Sequence, residues 1–241
     1  MNKKILIIFI ILFSAFYGFS QKSIVQNLRL YDQKRLHFGF TVGLNTSDFY
    51  IRNSDIFFDT TQIKEVYGIE NKQQPGFHLG PISNLRLGKF FDLRFLINLT
   101  FTQRDLKYNL LKEDAEGNPY FEEHTMVLSS TFLEFPLLLK YKSQRINNYR
   151  IYVIGGVNPK MDLAAKKKIP EDQMPMIRLE QTDIYAEFGV GFDFYLPYFK
   201  FSPEIKMGVG LNNMLIDDNT EYTGAIKYLK SKIIMLSFHF E

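Results

Sequence analysis

The chain has 241 residues, with 29 Lys and Arg against 26 Asp and Glu, 24 phenylalanines, 14 tyrosines, no tryptophan and no cysteine. The nearly balanced charge argues against nucleic acid as a partner. The absence of cysteine excludes a disulfide framework, a thiolate metal site and a lipid-modified cysteine.

The chain opens "MNKKILIIFIILFSAFYGFSQ". Lys3 and Lys4 precede an apolar run from Ile5 to Phe13, and the small residues Gly18 and Ser20 follow. This is the pattern of a secretory signal peptide, residues 1–20, removed after Ser20. The run fades at Ser14, short of the roughly 20 apolar residues a helical anchor needs. Loss of the two lysines leaves 27 basic and 26 acidic residues. Residues 21–35 read as a short periplasmic lead. No later apolar run is long enough for a helical span, so a membrane-spanning remainder, residues 36–241, has to be a β-barrel.

Eight segments then alternate with period two, the sign of a strand with two different faces. "HFGFTVGLN" sets Phe38, Phe40, Val42 and Leu44 against His37, Gly39, Thr41, Gly43 and Asn45. "GFHLGPISNLRLG" sets Phe77, Leu79, Pro81, Leu85 and Leu87, with Ser83, against His78, Gly80, Asn84 and Arg86, with Ile82. "FDLRFLINLTF" opposes Phe91, Leu93, Phe95, Ile97, Leu99 and Phe101 to Asp92, Arg94, Asn98 and Thr100. "FLEFPLLLKY" opposes Leu133, Phe135, Leu137, Leu139 and Tyr141 to Glu134 and Lys140. "YRIYVIGGV", "YAEFGVGFDFY" and "FKFSPEIKMGVGL" repeat the pattern, with Arg150, Glu187, Asp193, Lys200, Glu204 and Lys206 on their polar faces. The eighth, "IMLSFHF", carries Ile234, Leu236, Phe238 and Phe240 on one face.

Connections alternate in length. Long ones cover Thr46–Pro75, Leu106–Ser130, Asn158–Thr182 and Asn212–Lys230, and short ones lie near Gly88, between Lys142 and Asn148, and at Leu196–Tyr198. Outer-membrane barrels have long external loops and short periplasmic turns. Aromatics gather at the short turns: Phe90, Phe91, Tyr141, Tyr149, Tyr195, Tyr198, Phe199 and Phe240. Such a level fits an interfacial girdle. The expected fold is therefore an all-β, eight-stranded, closed antiparallel transmembrane barrel in the outer membrane. The last strand pairs with the first and removes both edges. Pro81, Pro136 and Pro203 fall inside strands, lack a ladder donor, and should each mark a bulge or boundary.

Charged residues lie deep on the polar faces: Arg86, Arg94, Glu134, Lys140, Arg150, Glu187, Asp193, Glu204 and Lys206. Lipid rejects them, so they point into a narrow lumen, where opposite charges pair. Catalysis would need a nucleophile, a base and an orienting group together. His37 and His239 fall at periplasmic strand ends, His78 at an external strand beginning and His124 in a loop. Glu134 and Glu187 read as partners of buried cations rather than as an acid–base pair. No catalytic, cofactor or metal residue is assigned. Lys166, Lys167 and Lys168 form a basic loop that suits lipopolysaccharide phosphates, and "KEDAEGNPYFEE" (112–123) reads as a mobile loop tip.

The segments "LHFGFTVGLNTSDFYI", "PGFHLGPISNLRLGKFFDLRF" and "FLEFPLLLKY" resemble the PorT/SprT family, as do "GGVNPKMDLA" and "GVGFDFYL". Those proteins are outer-membrane barrels of the type IX secretion and gliding machinery of Bacteroidetes. Pro81 departs from the aliphatic residue expected there. The resemblance implies a non-enzymatic secretion component, needed for export of cargo with C-terminal sorting domains, with other machinery proteins as partners. The alternative is a generic small barrel of the OmpX or OmpA type, serving adhesion or envelope integrity.

Overall fold

In the computed structural model, residues 25–54, 66–114, 116, 118–165, 177–218 and 221–241 are described. The proposed signal peptide and Lys166–Lys168 lie outside them. Ten strands form one antiparallel sheet: β1 (Leu36–Asn53), β2 (Val66–Arg86), β3 (Phe91–Leu96), β4 (Asn98–Glu113), β5 (Pro119–Glu134), β6 (Leu137–Lys142), β7 (Tyr149–Asp162), β8 (Thr182–Tyr195), β9 (Lys200–Gly210) and β10 (Ile226–Phe240). β1 pairs with both β2 and β10, from Phe40 opposite Phe240 to Asn53 opposite Ile226, so the sheet closes on itself. The last strand finds its partner in the first.

Ten strands nevertheless make a ring of eight. β3 and β4 are one wall strand interrupted at Ile97, and β5 and β6 are another interrupted at Phe135 and Pro136. Register runs on across both gaps: Leu79 faces Leu99 and Ile82 faces Leu96, while Asn98 faces Glu134 and Phe95 faces Leu137. The cause is proline. Ile97 N–H donates to the Pro81 carbonyl at 3.2 Å, Leu96 N–H to that of Pro136 at 3.1 Å, and Phe135 N–H to that of Pro159 at 3.0 Å. None of these prolines can return the bond. Pro81 itself stays within β2, and the break falls on its neighbour. Pro203 likewise leaves β9 continuous, while the β8–β9 pairing lapses between Gly191–Glu204 and Phe194–Phe201. Ser83, polar on the outward face, donates its hydroxyl to the Phe95 carbonyl at 3.2 Å.

Burial alternates residue by residue along the strands; β8 reads exposed then buried throughout. Phe38, Phe40, Leu44, Phe188, Phe192 and Ile205 stand outward, and the charged faces turn into the lumen. Phe91 and Tyr141 pack at 5.1 Å between ring centroids at the short-turn end, and Phe40 stacks on Phe240 at 4.9 Å. Tyr195 departs from the expected girdle. It shares the face of Asp193, points inward and is 1 % exposed.

Three of the long connections are shorter than the sequence suggested, and one is a hairpin. β1 runs on to Asn53, β7 to Asp162, and β10 begins at Ile226. Most of residues 106–130 belong to β4 and β5, which continue outward as a paired hairpin. The tip is a tight turn in which the Asp114 carboxylate accepts from Glu116 N–H (2.9 Å) and Asn118 N–H (2.8 Å). His124, expected in a loop, sits in β5 opposite Tyr108. Beyond the bilayer both faces of a strand can be polar, so the period-two signal fades although the ladder continues. Inside this extension an apolar cap forms from Phe49, Leu106, Tyr108, Met126 and Leu229, with Ile177 from the 163–181 connection.

Candidate functional site: the barrel interior

The lumen is filled by two ionic groups that the closed ring brings together from distant parts of the chain. In the group nearer the short turns, Arg94 is fully buried between Asn84, which accepts from its Nε at 3.0 Å, and Glu204 at 2.6 Å from its Nη1. Glu204 also accepts from the Tyr152 hydroxyl at 2.8 Å. The Tyr152 ring lies under the Lys140 ammonium at 3.6 Å, and Lys140 grips both oxygens of Asp193 at 2.8 and 2.9 Å. Asp193 takes a bond from Ser202 at 2.7 Å and faces Arg150 at 3.3 Å. Arg150 reaches on to Asp32, and Lys142 holds Asp92 at 2.6 Å.

The second group lies farther along the strands. Lys160 meets Glu134 at 2.7 Å and Lys206 meets Glu187 at 2.6 Å. Asn158 bridges the two carboxylates, at 3.2 Å to Glu134 and 2.6 Å to Glu187. Above it Arg104 donates to Ser130 (2.7 Å) and Ser231 (3.1 Å) and covers the Phe49 ring at 4.3 Å. Opposite charges at these distances offset the cost of burying Lys160, Lys206, Glu134 and Glu187. Arg104 has no carboxylate at ion-pair distance among the described residues and rests on the two hydroxyls and the ring. Between the groups sits an apolar layer of Ile82, Leu96, Leu138, Tyr152 and Ile154.

Eight of the nine charged residues singled out in the sequence line these groups. Arg86 does not: it is half-buried at the end of β2, where its Nε donates to the Gly88 carbonyl at 3.2 Å. Sequence reasoning missed Lys160 and Asn158, which it assigned to a loop, and Arg104, which lies past the end of its third strand. It also missed Glu241, whose carboxylate is buried and accepts from Asn84 (2.6 Å) and Tyr31 (2.9 Å) while meeting Lys200 at 3.0 Å.

The lead is not a bare tether. Val25–Arg35 packs into the short-turn mouth. Asn27 N–H donates to the Asn148 side chain at 2.8 Å, and the Asn148 amide returns a bond to the Val25 carbonyl at 3.0 Å. Arg145 donates to the Asn27 carbonyl. Tyr31 stacks on His37 at 3.9 Å. Burial and the neighbouring Glu241 carboxylate push the Tyr31 hydroxyl well above its ordinary pKa.

His78 and Ser237 make a hydroxyl–imidazole contact at 2.9 Å. Both are buried, and His78 Nδ1 has no hydrogen-bond partner among the described residues, so no group orients the ring as a base. A Cβ at Gly43 would fall 2.4 Å from the His78 ring, so the glycine makes room for it. His239 lies 3.5 Å from Glu204, inside the first ionic group. Among the described residues no cluster of three His, Asp or Glu side chains could hold a metal ion.

No curated protein matches the chain. Among solved structures it is similar to the outer membrane protein OprG from Pseudomonas aeruginosa, at 13% identity over 85% of this chain and 91% of that one, with a TM-score of 0.41. It is also similar to Neisserial surface protein A, at 10% identity over 86% and 98% with a TM-score of 0.39. A third is Ail of Yersinia pestis, solved with a heparin analogue, at 10% identity over 86% and 99% with a TM-score of 0.38. These likenesses are too distant to carry a function across. Residues 19–215 match the family described as outer membrane protein beta-barrel domain, and the chain belongs to that family of outer-membrane barrels.

Proposed function

We propose that this barrel is a non-enzymatic, non-conducting component of the type IX secretion machinery, needed for export of cargo with C-terminal sorting domains. The observation that carries the reading is the lumen. Arg94, Glu204 and Tyr152 form one hydrogen-bonded set inside it, joined through the Tyr152 ring to the Lys140–Asp193 pair, so paired, buried side chains occupy the lumen. Function then falls to the rims and the outer wall, where loops meet partners. The strand sequences resembling PorT/SprT supply the secretion assignment. Lys166–Lys168 would contact lipopolysaccharide phosphates.

The test is release of a cargo protein with a C-terminal sorting domain from a strain lacking the gene, with and without complementation. Loss of release that the gene restores supports the reading. Normal release without the gene refutes it and leaves a generic small barrel for adhesion or envelope integrity.

A further inference from the structure

The short-turn mouth holds a cavity of about 240 Å³ between the turns that follow β2 and β6. Five cations line it, Arg86, Lys89, Lys142, Arg145 and Arg150, against one lining carboxylate, Asp32. Lys142 is held by Asp92, and Arg150 by Asp32 and Asp193. The other three have no carboxylate at ion-pair distance among the described residues. Among the described residues Arg86 donates to the Gly88 carbonyl. Lys89 lies over the Phe90 ring at 5.3 Å. Arg145 donates to the Asn147 carbonyl at 2.8 Å, to Asn27 and to Asn148, and covers the Tyr195 ring at 3.7 Å. Like charges gathered in a concavity repel one another and focus a positive potential toward the periplasm.

Two features select the anion. Lys142 and Arg150 project to the lumen side of the wall, so a lipid headgroup would have to leave its leaflet and enter the mouth to reach them. The chain's own lead already shows what fits: Asp32 delivers a carboxylate to Arg150, while Asn148 and Arg145 read the main chain of Val25–Asn27. The rim therefore binds peptide backbone and carboxylate side by side.

We propose that this cavity docks an acidic polypeptide segment of a periplasmic partner, with Arg86 and Lys89 receiving its carboxylates. The site needs only the outer-membrane orientation of the barrel and stands apart from the secretion assignment.

The full mature chain, folded in nanodiscs of zwitterionic lipid, is titrated calorimetrically with the peptide Glu-Asp-Glu-Asp-Glu-Asp and with its amide counterpart Gln-Asn-Gln-Asn-Gln-Asn. The acidic peptide binds and the amide peptide does not. Arg86→Gln with Lys89→Gln weakens binding about tenfold, since exposed charge contacts are each worth a factor of several, and flattens its salt dependence. Both side chains stand on the rim, and the gel shift of the folded barrel verifies that the double variant folds. Lys107→Gln, on the external hairpin, leaves binding unchanged. Equal binding of the two peptides, no binding of the acidic one, or a double variant without loss overturns the proposal. Displacement of the peptide by equimolar inorganic phosphate makes the cavity a phosphate site, and blockage by phosphatidylglycerol in the disc makes it a lipid site; either overturns the polypeptide assignment.

Discussion

Replacing Glu134 by glutamine keeps the volume and one acceptor but removes the charge facing Lys160 at 2.7 Å. Both side chains have no exposure. At an effective dielectric near 20 the direct attraction is about 6 kcal/mol. The loss is smaller than this, because the Lys160 ammonium keeps its place 3.9 Å over the Tyr185 ring and the glutamine carbonyl can accept a hydrogen bond from it. The net loss should be about 3–5 kcal/mol, as for other buried pairs broken on one side. That corresponds to more than about a hundredfold in the unfolding equilibrium. The assay is the urea midpoint of the barrel in lipid vesicles, followed by the heat-modifiable gel shift. Glu134→Gln combined with Lys160→Met removes both charges and should recover most of the loss, because the cost lies in the orphaned ammonium. An unchanged midpoint for the single variant, or a double variant less stable than the single, refutes this account of the interior.

The raised Tyr31 pKa ties the lead to pH. Only the undocked segment can release the phenolic proton, so docking is fully stabilised below the free value of about 10 and weakens as pH rises above it. Because the chain has no cysteine, a dye on Gln26→Cys is a unique reporter; it should report detachment in alkali, and Tyr31→Phe should abolish the pH dependence. Gly191→Ala places a methyl 2.4 Å from the Tyr152 ring and hydroxyl. It should cost roughly 1–3 kcal/mol by the same urea assay, and an unchanged midpoint would show that the ring yields freely. In planar bilayers the folded chain should conduct poorly, and stable channels of porin size would contradict a filled lumen.

The wall was legible in the sequence because lipid imposes a strict rule on one face. "YAEFGVGFDFY" and "FHF" declare their outward side by period two alone. Tyr195 carried the same signal, since it shares the parity of Asp193, but its place beside a turn suggested an interfacial ring. The partners inside were not legible. Arg94 and Glu204 are 110 residues apart, and only the shear of the closed ring sets them level. Lys160 and Arg104 fell outside the expected strands because the alternation weakens toward the external end. The ten-strand count also followed from something local, the donors missing at Pro81, Pro136 and Pro159, yet which neighbour would break depended on register.

Those three prolines have a mechanical consequence. Their carbonyls serve Ile97, Leu96 and Phe135 on adjoining strands, so the absent return bonds line up as a seam across three neighbouring strand junctions of the ring. The seam runs beside the apolar layer of Ile82, Leu96 and Leu138, while ionic clamps stiffen the cylinder above and below it. A change in bilayer thickness or lateral pressure therefore bends the cylinder at this crease first. The hinge is one-sided, since β8, β9, β10 and β1 run unbroken on the other side of the ring, and amide hydrogen exchange should be fastest along the crease.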